Sequence, residues 1–454
     1  MRITALVLAT LVSFLVLVSP AAAAAKAEAA AQDEAAAKPD AASAQTDNWP
    51  QFRGPTEMGL SQEKNLPLKW DGADSKNVLW KSPLKGNGHS SPIIWGNTVF
   101  VTTVSWADTV EKDKRGDVMP DHHVLCYQLS DGKLLWDKLV QPGPWKRNDF
   151  RSGPSGGYAC PTPATDGKLL YVAFGSSVLA AMDFDGNIVW RKEIVPHTFD
   201  VTLGASPILY KDTVLLLCSM QKPEDSKVIA FDKASGNVKW EGKLPTMGFG
   251  HSTPLLVEVN GRPQLLCAAS AMKPADDALQ SVDPNNGKVL WTCKGVGAIA
   301  TPVYANGLVY YDSGRGGTGW VIDPTGSGNV STTHIKATVT VGGQAFSSPL
   351  VVGKYLYRLD NSGVLKCWEM ATGAKVYEQK LEGLGTYWGS PIVDGQGRLY
   401  VATAGKSYVI QSGPEFKVLG TSDLGDANHP SPAVAQGKLI VVGLNNIYCI
   451  GSGN

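Results

Sequence analysis

From Asn48 onward the chain alternates short apolar runs with Gly, Asp and Asn turns, and no stretch holds a helical period of useful length. A Ser/Thr-Pro pair recurs at Pro92, Pro163, Pro207, Pro254, Pro302, Pro349, Pro391 and Pro432, with spacings of 71, 44, 47, 48, 47, 42 and 41 residues. Each pair opens the same pattern. After Pro92 come Ile93-Ile94-Trp95, the turn Gly96-Asn97 and the run Val99 to Val104. A third run and a second hairpin follow, as in Ala230-Phe231-Asp232, the turn at Gly236, and a strand ending on Trp240. Trp136, Trp190 and Trp291 occupy the same place in three other units, whereas Val330 and Tyr377 stand there later and the seventh unit has no counterpart.

Repeats of this length, each of four short antiparallel strands, predict an all-β, eight-bladed β-propeller. The chain ends on Ile447 to Asn454, a third strand and turn without a fourth strand. The missing strand is present at the other end, as Asn77-Val78-Leu79-Trp80-Lys81, so the N-terminal strand is expected to complete the last blade and close the ring. Seven blades with an extra hairpin is the alternative.

Upstream of the repeats, Arg2, the apolar run Ile3 to Val18 and the alanines to Ala25 read as a signal peptide over 1–25. The run is short for a membrane span. Residues 26–47, rich in Ala, Glu and Lys, read as a solvated linker, leaving 48–454 as the propeller. The protein is therefore expected to be periplasmic or secreted. Lys plus Arg and Asp plus Glu are both 41, and this balance excludes a basic nucleic-acid binder. The seven cysteines are never adjacent and lie mostly inside strands, which suits buried thiols; an odd number leaves at least one unpaired.

The Ala230, Asp232, Gly236 and Trp240 pattern resembles the pyrroloquinoline-quinone-type propeller repeats, in which the Trp docks on the next blade. The lead-in Trp49-Pro50-Gln51-Phe52-Arg53-Gly54-Pro55 is similar to that of exported bacterial members. The resemblance implies blade docking for Trp80, Trp136, Trp190, Trp240 and Trp291. It implies two functions. One is a non-catalytic scaffold in the cell envelope, like the BamB subunit of outer-membrane assembly, which carries no cofactor and binds envelope or extracellular proteins. The other is a quinoprotein oxidoreductase using pyrroloquinoline quinone with calcium. The adjacent Cys pair typical of the alcohol dehydrogenases is absent, as is a haem-attachment motif, so the scaffold reading is preferred. Asp360 with Asn361, and Asn445 with Asn446, are candidate calcium oxygens that also read as turn formers. Hydrolase, nucleotide and zinc-protease motifs are missing.

In an antiparallel blade the loop entering strand one and the loop joining strands two and three share a face. The long insertions fall there, which places Trp145, Arg147, Arg151 and Tyr158 on a partner- or ligand-binding face. Three residues before each proline lie His89, Cys160, Gly204, His251, Ile299, Phe346, Trp388 and His429, which should ring the channel mouth. His89, Cys160 and His429 come from neighbouring blades and are a candidate zinc or copper set. His251, Phe346 and Trp388 would line a ligand site at that mouth. Rings that merely fill and hydrate the mouth are the simpler alternative.

Overall fold

The computed structural model describes residues 47–115, 117–145, 157–194, 203–220, 222–248, 250–268, 275–295 and 299–452. The signal and linker segments, save Asp47, and the partner-face candidates Arg147 and Arg151 lie outside the described residues.

Eight antiparallel sheets follow one another along the chain as the blades of a propeller. The first is Ile93–Trp95, Thr98–Ser105, Asp121–Gln128 and Leu134–Val140, in that order from the axis outward. The eighth is closed as expected. Val78–Pro83 is its outermost strand, with Val78 opposite Ile450 and Lys81 opposite Tyr448. The seven-bladed alternative falls away.

A second closure runs through the Ser/Thr before each proline. Because proline has no N–H, this residue carries the last free amide before the inner strand. It donates to the hydroxyl of its counterpart in the next blade. The chain of bonds runs from Ser91 to Thr162 (3.1 Å), to Ser206 (3.0 Å) and to Thr253 (3.0 Å). It resumes from Thr301 to Ser348 (3.1 Å), Ser390 (2.9 Å) and Ser431 (2.8 Å), and Ser431 donates back to Ser91 at 3.1 Å. The repeat mark in the sequence is thus a hydroxyl collar that ties the last blade to the first.

The apolar core lies in the seams between blades. Trp80, Trp136, Trp190, Trp240 and Trp291 pair opposite Cys449, Cys126, Ala181, Ala230 and Ser281 of the adjoining strand, each beside a register shift. The indole N–H of Trp80, Trp136 and Trp190 crosses the seam to the carbonyls of Leu129 (2.9 Å), Phe184 (2.9 Å) and Lys233 (2.8 Å). Trp291 instead donates to Gln264 of its own blade at 2.8 Å. The turn glycine of the next blade sits under the ring. A Cβ on Gly236, at φ +68°, would lie 2.6 Å from Trp190, and one on Gly287 2.7 Å from Trp240.

The fifth blade differs from the sequence reading. Gly328–Asn329, just before Val330, pairs parallel with the outer strand of blade four, and the outer strand of blade five is Ile335–Thr340. Ala337, opposite Val321, therefore holds the Trp position in place of Val330. The inserted turn around Thr325 displaced the strand beyond the regular spacing.

Candidate functional site

All eight residues three before the prolines line one axial cavity of about 360 Å³, and the eight hydroxyls of the collar line it further in. The outer ring is half-buried and the collar buried. Two residues of extended chain separate them, about 6–7 Å along the axis.

One end of the channel is stopped by the segment that precedes the first blade. Trp49 exchanges backbone bonds with Ile94 of blade one, and Pro50 accepts from Thr165 of blade two. Glu57 accepts from the Leu256 N–H of blade four at 2.8 Å, Arg53 donates to Pro349 O of blade six, and Gly59 accepts from Val393 of blade seven. A segment holding blades on opposite sides of the ring must cross the axis, and Phe52, at its middle, lines the cavity. The strap attaches at the strand 1–2 turn end, as Gly96 N–H bonding to Asn48 Oδ1 shows, so the cup opens toward the loop face. Two ionisable side chains of the strap itself are buried. Burial lowers the Arg53 pKa to about 9 and raises that of Glu57 to about 7.

The walls differ around the ring. Phe346, Trp388, His429 and His89, from blades six, seven, eight and one, form an aromatic arc. Trp388 and His429 are stacked with centroids 4.2 Å apart, and Phe346 lies 5.3 Å from Trp388. Burial, with His89 nearby, pushes the His429 pKa down to about 4, so its ring is neutral near pH 7. Arg315 brings a positive charge to the cup from the loop between strands two and three of blade five. Among the described lining residues there is no carboxylate.

His89, Cys160 and His429 all line the cup, with His89 and His429 rings 5.7 Å apart. Yet no three His, Cys, Asp or Glu side chains among the described residues are grouped to hold a metal ion. His429 gives its face to Trp388 instead. His251, Phe346 and Trp388 line the cup. Tyr158 does not belong to an open face. It is fully buried, with its ring 6.2 Å from Trp145 and 5.7 Å from His122, and Trp145 packs on the same apolar cluster between blades one and two. Asp360 and the two asparagines are turn formers. Asp360 accepts from the Ser362 and Val364 N–H groups, and Asn445 and Asn446 both donate to Asp426. None of the seven cysteines forms a disulfide, and six of them are buried.

Sequence reasoning missed Phe52, Arg315 and the collar. The collar was visible as the repeat marker, without its function. Phe52 was visible only as part of an aromatic lead-in, and nothing local shows that a coil crosses an axis.

The comparisons bear on this geometry. A family model described as outer membrane protein assembly factor BamB matches residues 118–333. The chain resembles this family over that stretch, and its fold is an eight-bladed β-propeller. A search of curated protein sequences finds no match. Among solved structures, the repeat propeller resembles a europium-containing methanol dehydrogenase, at 14% identity and TM-score 0.64 over 88% of this chain and 90% of that one. It also resembles BamB from Moraxella catarrhalis, at 14% identity and TM-score 0.55 over 82% of this chain and 99% of that one. A computationally designed protein, Ika8, matches at 13% identity and TM-score 0.52, again over 82% and 99%. These likenesses establish the fold. The donor set of the propeller's cup does not fit a calcium–quinone pair. Calcium takes six to eight oxygens, carboxylates prominent among them, and the oxygen-bearing side chains of the described lining are all Ser or Thr hydroxyls.

Proposed function

We propose that the protein is an exported, non-catalytic binding propeller of the cell envelope, BamB-like, which engages a partner protein at the face where its axial cup opens. Residues 1–25 act as the export signal and 26–47 as a spacer, giving a periplasmic or secreted protein. No helix among the described residues is long and apolar enough to cross a membrane. The observation that carries the reading is the blind cup, whose described lining has an aromatic arc, an arginine and hydroxyls but no carboxylate. Calcium-assisted quinone chemistry needs hard anionic oxygens, whereas half-exposed Phe346 and Trp388 beside Arg315 have the composition of binding anchors. The quinoprotein oxidoreductase remains the competing function.

The test places a photo-cross-linking amino acid at Phe346 on the mouth and, as control, at Lys354 in a strand 1–2 turn on the opposite face. In an envelope fraction, a single discrete adduct from position 346 and none from 354 is expected. Equal adducts from both positions, or none from 346, would overturn the reading.

A further inference from the structure

We propose that the hydroxyl collar inside the cup is an anion site, taking the carboxylate of a small organic acid whose apolar body lies against Phe346 and Trp388. The inference rests on the cup being a binding site. It does not depend on a protein partner at the mouth.

The collar's hydrogen bonds all run in one direction. Ser91, Thr162, Ser206, Thr253, Ser348, Ser390 and Ser431 each accept a backbone N–H from the preceding blade, at 2.8–3.1 Å. A hydroxyl has one proton to donate and two lone pairs. The seam takes up a lone pair at each position and leaves the proton. Among the described residues, none of these hydroxyls donates to a protein acceptor. The collar is thus a ring of buried O–H donors around a cavity. Donors in a low-dielectric site call for an acceptor, and a charged acceptor gives the stronger bonds.

The rest of the lining has the same sign. Arg315 is the charged side chain among the described lining residues. His429 is held neutral at its lowered pKa of about 4. The indole Nε1 of Trp388 is another buried donor without an acceptor among the described residues. A single arginine at the mouth matches one negative charge better than the two of a phosphate. The aromatic arc, with Ile299 beside it, supplies the apolar wall that an organic acid offers and an inorganic anion does not. The volume, about 360 Å³, is of the size that holds small ligands.

The experiment is calorimetric titration of the purified protein with benzoate, benzamide and inorganic phosphate. Benzamide has the same shape with no charge. Saturable benzoate binding, at least about tenfold tighter than benzamide or phosphate, is expected. Ser390→Ala removes a collar donor and should weaken benzoate about tenfold, while Ser390→Thr, which keeps the hydroxyl, restores it. Arg315→Gln should weaken benzoate severalfold and leave benzamide unchanged. Equal binding of benzoate and benzamide, no saturable benzoate binding, tighter phosphate, or a Ser390→Ala variant of unaltered affinity would each overturn the proposal. If Ser390→Ala fails to fold, the three-ligand comparison on the unaltered protein decides alone. No partner is present in this assay, so its failure leaves the cross-linking result at Phe346 intact.

Discussion

Two arcs of the ring solve the same packing problem differently. From blade eight through blade four, a Trp on each outer strand reaches the neighbouring blade, and at Gly132, Gly236 and Gly287 a turn glycine leaves room for the indole. From blade five through blade seven the equivalent positions are Ala337, Tyr377 and Gly420. The space is filled from elsewhere. Trp368, buried in the third strand of blade six, packs in the cluster that Ala337 adjoins. Tyr377 meets Phe416 with ring centroids 5.8 Å apart. At Gly420 the N-terminal strap takes the room itself, with Leu68 O where a Cβ would be and with Leu66 and Trp70 buried beside it. A seam needs volume and a satisfied polar edge, and the repeat Trp is one way to provide both.

The largest effect should come from removing what the improvised arc borrows. Deleting the residues before Lys85 takes away the outer strand of blade eight, the strap under blade seven and the Phe52 stop. The edge of Asn446–Gly451 is then unpaired. Size-exclusion chromatography should show oligomers or aggregate, and a soluble monomer of normal stability would contradict ring closure by this strand.

Next come the ring substitutions. Trp190→Ala empties a regular seam and should cost about 3–5 kcal/mol in denaturant unfolding. Tyr377→Ala, in the shared packing of blades six and seven, should cost about 2 kcal/mol. Equal losses would erase the distinction between the arcs. Glycines sharpen it further. Gly236 and Gly437 share a left-handed backbone, at φ +68° and +69°, but only Gly236 faces an indole. Gly437→Ala should cost about 1 kcal/mol from backbone strain, and Gly236→Ala a further ~1–3 kcal/mol from the clash.

The regular arc was legible because its signals are local: an Asp-Gly turn, a Trp at fixed distance, a Ser/Thr-Pro start. Blade number, the closing strand and the ring of residues at the mouth all follow from that spacing. The improvised arc was not. Val330 stood at the right distance but the inserted turn moved the strand, so Ala337 took the place. Tyr158 has the composition of an exposed anchor, yet its neighbours Trp145 and His122 enclose it. Phe52 lines the channel because its neighbours Arg53 and Glu57 are anchored to the distant Pro349 and Leu256.

The smallest effect is on pH dependence, and it separates the strap from the blades. Burial holds Glu57 at a pKa of about 7 against an ordinary 4.5, so the folded state keeps a proton that the unfolded chain has lost in that window. Its contribution is present below pH 4.5 and lost as pH rises through 7. His122 and His429, lowered by burial to about 3 and about 4, act oppositely; their contribution is present above about pH 6.5 and lost as pH falls through those values. Glu57→Gln should therefore raise stability more at pH 8 than at pH 5, read as the shift in denaturation midpoint. An equal shift at both values would remove Glu57 from the account.

The central claim is that the axial cup binds without quinone chemistry. It is tested most directly by titrating the purified, full-length protein with pyrroloquinoline quinone in the presence and absence of calcium, following heat and dye reduction together. The account predicts no calcium-dependent saturable binding and no dye reduction with alcohols or sugars. Stoichiometric, calcium-dependent binding with substrate-dependent dye reduction would contradict it.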